Sequence, residues 1–370
     1  MNNAQLTSYL NNGIKDLVSG VLKSTLSNPK ESAFLLKFIS SADRNAKRRE
    51  AYESEGLHVP AFLIASITNS CNLFCKGCYA RANGICGDKS AKNLLPAEKW
   101  ADLFNQASDF GITFCLLAGG EPLLRKDVMT EAAKKPEIIF PIFTNGTVID
   151  DECVNLFDRS RNLIPIFSVE GEKEQTDERR GTGTYDKIIT AIKTLSKKKV
   201  IFGASMTVTT QNLEEITSDD FLGNLNDLGS RLIFYIEYVP ADGQTELAPT
   251  EKDRKYIDEK LNILREKYPK MMFLSFPGDE QYIGGCLAAG RGFFHIGPGG
   301  AAQACPFSPY SDTDLKKCTL KQALSSPFFR ALQESGLSGG VHDGGCTLFE
   351  NEAKVIECLK NCGKRTEDVT

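Results

Sequence analysis

Ala61-Phe62-Leu63-Ile64-Ala65-Ser66-Ile67 leads into Cys71-Asn72-Leu73-Phe74-Cys75-Lys76-Gly77-Cys78-Tyr79, so an apolar run ends in three cysteines spaced C-x3-C-x2-C. The run reads as a buried strand. A strand that ends in so tight a cysteine loop gathers three thiolates around one small volume. Three thiolates can bind three irons of a [4Fe–4S] cube and leave the fourth iron without a protein ligand. An open iron marks a catalytic cluster, by the logic that separates open from closed zinc sites. Two other readings stay open on the residues alone. One is a zinc site closed by Cys86, although C-x3-C-x2-C is not a usual zinc spacing. The other is a closed electron-carrier cluster using the same cysteine. Cys86 otherwise reads as a plain loop cysteine.

Outward from this loop, strand and helix signals alternate. The pattern predicts strands over 61–67, 112–117, 138–143, 163–169, 200–208 and 232–239, and helices over 96–110, 127–135, 150–158, 185–198, 213–228 and 251–268. Pro96 opens the first of these helices and Gly111 stops it. Six βα units with short connections imply a parallel sheet under a layer of helices. A Rossmann sheet would carry G-x-G-x-x-G after its first strand, and this chain does not. An α/β fold of the partial (β/α)6 TIM-like barrel type fits, and it puts the cysteine loop at the C-terminal strand ends, where barrels carry their chemistry.

The flanks differ from this core. Residues 1–58 read as an N-terminal helical extension, with Leu6, Leu10, Ile14, Leu17, Val18, Val21 and Leu22 at helical spacing and a second apolar cluster from Ala33 to Ile39. A membrane-surface helix is the sharper reading of that stretch, but its polar face is not strongly basic. Residues 59–270 make the barrel. Residues 271–370 are Gly-rich and cysteine-bearing, with helices over 320–333 and 351–359, and read as a separate C-terminal module.

Bulk properties exclude several classes. The chain has 370 residues, a net charge of −4 and dispersed Lys and Arg, which gives no nucleic-acid surface. Its longest apolar runs fall well short of the roughly 18 residues that span a bilayer. The N-terminus has no basic-then-apolar secretion signal. A cytoplasmic protein is expected, and its twelve cysteines then argue for metal ligation over disulfides.

The cysteine loop followed by Tyr79, together with Gly119-Gly120-Glu121-Pro122 after the second strand, resembles the signature of the radical S-adenosylmethionine (radical SAM) enzymes. The resemblance covers about residues 59–240. It implies a [4Fe–4S] cluster on Cys71, Cys75 and Cys78 whose open iron chelates the amino and carboxylate groups of S-adenosylmethionine. It implies reductive cleavage to a 5′-deoxyadenosyl radical that abstracts a substrate hydrogen, with electrons from a flavodoxin or ferredoxin-type donor. Cofactor-binding positions carry over one at a time. Gly119, Gly120, Glu121 and Pro122 match the motif at the amino group. Tyr79 matches the aromatic near the adenine, and Asn145 in Thr144-Asn145-Gly146 lines the site. Ser168 and Glu170 stand where relatives commonly have Ser-x-Asp-Gly, with Glu replacing Asp. Arg180 resembles the arginine that pairs with the cofactor carboxylate, a surface charge cluster being its alternative. Ser205, Thr207 and Thr209 alternate on the fifth strand and could face the lumen, or serve β-propensity alone.

Cys286, with Gly300 to Cys305 as G-x4-C, resembles the opening of the SPASM and twitch extensions, which hold auxiliary clusters. The full SPASM pattern does not follow. One auxiliary [4Fe–4S] cluster is therefore expected, with Cys286, Cys305 and Cys346 as ligands. The fourth ligand stays open among Cys318, Cys358, Cys362, His342, a non-cysteine residue and the substrate. Cys115 and Cys153 read as core residues. His295 reads equally as a donor to cluster or substrate and as a structural histidine, and His58 reads as solvent-facing. The resulting expectation is a radical SAM enzyme modifying a peptide or protein. Oxidation or rearrangement of a small molecule or cofactor precursor is the alternative. A non-catalytic Fe–S electron-transfer or sensor protein is the alternative from another class. The helical N-terminus does not resemble a winged-helix recognition domain, so a leader peptide would need another docking site.

Overall fold

The computed structural model describes residues 5–11, 28–87, 93–339 and 345–363. Ile14, Leu17, Val18, Val21, Leu22, His342 and Gly344 lie outside the described residues. Seven parallel strands form one continuous sheet: β1 Phe62–Thr68, β2 Phe114–Gly119, β3 Phe140–Thr144, β4 Leu163–Ser168, β5 Gly203–Val208, β6 Leu232–Glu237 and β7 Met272–Phe276. They pair in sequence order, with Leu63 opposite Cys115, Leu117 opposite Ile142 and Thr207 opposite Ile236. The strands read as near-continuous apolar runs because helices cover the sheet on its outer face and the barrel interior on the other. This is an open α/β partial barrel. All six expected strands are present, with ends within a few residues of the expected ones. Cys115 and Cys153 are buried in the main core.

The sheet extends beyond those six strands at both edges. β7 pairs with β6, so the run after residue 271 begins as barrel strand. Its burial alternates, as expected for an edge, and this makes it a weak strand signal. On the other edge, β8 His295–Ile296 pairs parallel with β1, and β9 Ala301–Gln303 and β10 Thr313–Asp314 follow it antiparallel. The Gly-rich C-terminal sequence is thus bonded to the strand that carries the cysteine loop.

The helix Pro29–Ser54 closes the opposite end of the barrel. Asn28 caps it, and Pro29 occupies its first turn. Its Leu35, Phe38 and Ala42 pack with Ala61, Phe114, Ile139, Ile164, Ile201 and Leu232, which sit at or just before the N-terminal ends of β1 to β6. Burying Phe38 alone contributes about 1.5–3 kcal/mol. Its Arg49 reaches the Gly111 carbonyl and, at 2.8 Å, the Thr113 hydroxyl. With that end plugged, the C-terminal strand ends are the open mouth.

Three helical expectations change. The 213–228 helix breaks at Thr217, where Ser218 caps a new helix, Asp219–Leu228. The 320–333 helix breaks before Ser326, which caps Pro327–Glu334. Lys173–Arg180 is an additional helix that buries only Thr176 and so has no apolar stripe to read. Among the described residues, no helix is long and apolar enough to cross a membrane.

Candidate functional site

The cysteine loop is held by the next strand end. Gly120 N–H donates to the Thr68 carbonyl at 2.9 Å, and Glu121 N–H to the Ser70 carbonyl at 2.8 Å. A Cβ on Gly119 would lie 2.2 Å from the Thr68 oxygen, and one on Gly120 would lie 2.0 Å from the Ser70 oxygen. Only glycines allow this backbone-on-backbone approach. Glu121 is buried and turned inward. One carboxylate oxygen accepts from Leu123 N–H at 3.0 Å and the Thr144 hydroxyl at 2.8 Å, and the other from Asn145 N–H at 2.8 Å. Asn145 in turn donates to Asn72 Oδ1 at 2.9 Å. The ends of β1, β2 and β3 are therefore wired together around Cys71.

The fourth and fifth strand ends supply charge. Glu170 is buried, and its Oε1 accepts from Arg179 Nη1 at 2.6 Å and Arg180 Nε at 2.7 Å, while Oε2 accepts from Thr207 N–H at 3.0 Å. The side chain that replaces the usual Asp is thus committed to a two-arginine clamp. Arg180 directs its remaining Nη1 at Cys75 Sγ, 3.9 Å away. Burial pushes the Cys75 thiol up, and Arg180 and Arg179 pull it back toward the thiolate. Arg180 therefore lies largely buried beside the cysteine loop, held by Glu170. Ser168 and Ser205 face each other with hydroxyls 3.3 Å apart.

Two further contacts surround the loop. The Cys71 thiol is hydrogen-bonded to that of Cys86, which, with burial, pushes Cys71 up. Cys86 thus lies in a bend as a neighbour of the first motif cysteine, brought there by pairing of Ser70 with Gly87. The Tyr79 ring packs on Phe307 at a centroid distance of 4.7 Å.

The C-terminal cysteines also converge. Cys305 is hydrogen-bonded to Cys346, which with burial raises its thiol, and it feels Cys286; burial and Glu280 raise Cys286, which also feels Cys346. Arg291 locks the Cys286 loop by donating to the Gly285 carbonyl at 2.9 Å, the Cys286 carbonyl at 3.1 Å and the Ile283 carbonyl at 2.9 Å. Cys318 is half-buried near Asp314; Cys358 lies on the helix Glu352–Asn361 and Cys362 caps its end, near Cys358 and Asp312. His295 has both ring nitrogens engaged, one 2.8 Å from the Ser66 hydroxyl and one 2.7 Å from Gln303 Oε1. Burial, partly offset by Gln303, brings its pKa down to about 4, so it is a neutral structural histidine. His58 is half-buried and bridges Glu53 and the Arg291 carbonyl, contrary to the expected solvent exposure.

Both thiol groups suit iron–sulfur clusters. Their donors are sulfur alone, half-buried at Cys71, Cys75, Cys78 and Cys346 and buried at Cys286 and Cys305, the ligand type such clusters take. Thiols packed this closely repel as thiolates, and a bound metal cluster removes that penalty. Each loop also carries a buried polar atom without a protein partner, Asn69 Oδ1 before Cys71 and Ser308 Oγ after Cys305. Among the described residues, no three His, Cys, Asp or Glu side chains enclose a single metal ion. A cube whose irons each take one thiolate does not need that tighter arrangement. Arg179, Asn72 and Phe307 were not singled out in the sequence. Arg179 adjoins Arg180, and Phe307 lies two residues beyond Cys305, whereas Tyr79 directly follows Cys78.

Known proteins align with this arrangement. The family model of the radical SAM superfamily matches residues 65–222. The chain is 29% identical over 222 residues to Fe-coproporphyrin III synthase of Methanosarcina barkeri, covering 59% of this chain and 54% of that protein. It is 26% identical over 324 residues to PqqA peptide cyclase of Rhizobium meliloti, covering 84% of this chain and 81% of that one. Among solved structures, Streptococcus suis SuiB bound to S-adenosylmethionine superposes with a TM-score of 0.65 at 19% identity, covering 83% of this chain and 78% of SuiB, a likeness of fold. Residues 65–222, with the cysteine loop and the Gly-Gly-Glu-Pro turn that packs on it, belong to the radical SAM superfamily.

Proposed function

We propose that this chain is an enzyme that cleaves S-adenosylmethionine at an open [4Fe–4S] cluster on Cys71, Cys75 and Cys78 and modifies a peptide or protein. The observation that carries this reading is the three-thiol loop, braced by Gly119 to Glu121 and faced by Arg180. When bound, the cluster and its cofactor supply a 5′-deoxyadenosyl radical that takes a hydrogen atom from the substrate. The chain's own residues bind and orient. Gly119 and Gly120 hold the loop against β2. Glu121 fixes Thr144 and Asn145 at the rim. Glu170 holds Arg180, which favours the Cys75 thiolate and would offer its positive charge to a cofactor carboxylate. Tyr79, Ser168 and Pro122 complete the assigned cofactor rim.

The module over 271–370 is assigned one auxiliary [4Fe–4S] cluster on Cys286, Cys305 and Cys346. Convergence of these three thiols supports that assignment. Similarity to PqqA peptide cyclase runs along most of both chains, so it reaches into this module and supports a peptide substrate. The alternative is a small-molecule or tetrapyrrole-like substrate, favoured by the higher identity to Fe-coproporphyrin III synthase over a shorter span. We also infer a flavodoxin or ferredoxin-type donor and a cytoplasmic location, where cysteines stay reduced and available to clusters.

The test is anaerobic reconstitution followed by iron counting and substrate trials. About eight irons per chain are expected, and about four would remove the auxiliary cluster. A cofactor-dependent mass change in a short peptide encoded beside the gene would establish the peptide reading. Conversion of a tetrapyrrole, with no peptide modified, would replace it.

A further inference from the structure

The auxiliary thiol Cys346 is tied to the mouth of the barrel through a partly buried ion pair. β6 ends at Glu237, on the open side of the barrel. Glu237 Oε1 accepts from Arg254 Nε at 2.9 Å and Nη2 at 2.5 Å. Its other oxygen accepts from Gly345 N–H at 3.4 Å, one residue before Cys346. The Cys346 carbonyl accepts Glu350 N–H at 2.9 Å. Gly345 has φ +73°, and a Cβ there would lie 2.3 Å from Glu350 Oε1 and 3.1 Å from Arg254 Nη2. Gly345, just before Cys346, is therefore bonded to Glu237 and closely faced by Glu350 and Arg254.

A solvated surface pair would not do this. The Glu237 side chain is 11% exposed and that of Arg254 is 29% exposed. Arg254 lies in the first turns of the helix Glu251–Lys267, whose start is fixed by a capping box between Thr250 and Asp253. Each partner is thus held by a rigid element, and the fork-shaped guanidinium sets the angle of the carboxylate. The carboxylate in turn sets the height of Gly345.

We propose that the Glu237–Arg254 pair is a positioning device that fixes Cys346, and with it the auxiliary cluster, against the C-terminal end of β6. It rests on the reading of Cys346 as a cluster ligand. The consequence is a fixed distance between the two cluster sites, with one set of side chains spanning barrel and module.

The test uses full-length, anaerobically reconstituted protein, with EPR spectra and reduction potentials of both clusters. Glu237→Gln and Arg254→Met should broaden or shift the auxiliary signal, move its midpoint potential, or lose up to about four irons per chain. The signal of the Cys71 cluster should stay as in the unaltered protein, which also reports that the barrel is folded. Arg254→Lys, which keeps the charge and loses the fork, should lie between. If Glu237→Gln fails to fold, Arg254→Lys and Arg254→Met carry the comparison. An unchanged auxiliary spectrum and potential in these variants, while Cys346→Ala loses iron, would overturn the proposal alone. Full iron retention in Cys346→Ala would overturn the ligand reading and the proposal with it.

Discussion

The Tyr79 ring meets the Phe307 ring at 4.7 Å between centroids, with planes inclined by 57°. Tyr79 follows Cys78 and Phe307 lies two residues beyond Cys305, so one aromatic contact joins the two cysteine-bearing loops. Such a pair adds roughly 0.5–1.5 kcal/mol beyond area burial. Phe307→Ala should destabilise the protein by about 1–3 kcal/mol, less than a fully buried Phe→Ala, because Phe307 is half-buried. Urea midpoints measure the loss, and Phe307→Leu should be milder.

Arg180 is held by Glu170 and aims its free nitrogen at Cys75. Arg180→Met removes a charge-assisted contact of about 1.5–3 kcal/mol. Binding of S-adenosylmethionine to the reconstituted protein should weaken on the order of 10- to 100-fold. Arg179→Met should weaken it less, since Arg180 stays on Glu170. Equilibrium binding under anaerobic conditions measures the difference.

Gly120→Ala drives a Cβ to 2.0 Å from the Ser70 oxygen, and backbone must move to relieve it. Iron bound by the Cys71 loop should fall, while the auxiliary iron remains. Gly87→Ala is the control, since nothing lies within 4 Å of its Cβ position. Iron analysis and EPR of the two variants decide.

His295 is buried neutral, with its pKa lowered to about 4 by desolvation. Its unfolded value is near 6.5. The folded state therefore loses stability as pH falls from about 6.5, where the unfolded chain begins to take up the proton, and the loss levels off below about 4. The total is of order 3 kcal/mol. In cluster-free protein, the urea midpoint should drop over this window, and His295→Gln should flatten that part of the profile. An identical slope in both proteins would show that His295 is not the group responsible.

The strands β1 to β6 were legible because each is a nearly unbroken apolar run between turn signals. β7 was not, because an edge strand buries alternate residues and its five-residue run follows a long helix. The cysteine loop and the Gly-Gly-Glu-Pro turn could be placed from spacing, since both lie at strand ends. The fate of Glu170 could not. Its extra methylene lets it reach Arg179, Arg180 and the Thr207 N–H, which depends on a polar helix, Lys173–Arg180, with no apolar period. The meeting of Cys71 with Cys86 depends on a bridge between Ser70 and Gly87 that no local pattern encodes. Ser218 and Ser326 were readable helix caps, and the two long helical periods around them obscured the signal.

The most direct measurement is product formation by anaerobically reconstituted, dithionite-reduced protein given S-adenosylmethionine. Formation of 5′-deoxyadenosine and methionine is expected, together with a change in the EPR signal of the reduced cluster on adding the cofactor. Both should vanish in the Cys71→Ala, Cys75→Ala, Cys78→Ala triple variant, which should keep the auxiliary iron. An unaltered protein that forms neither product, and whose EPR signal ignores S-adenosylmethionine, would contradict an open catalytic cluster and favour a closed electron carrier or sensor.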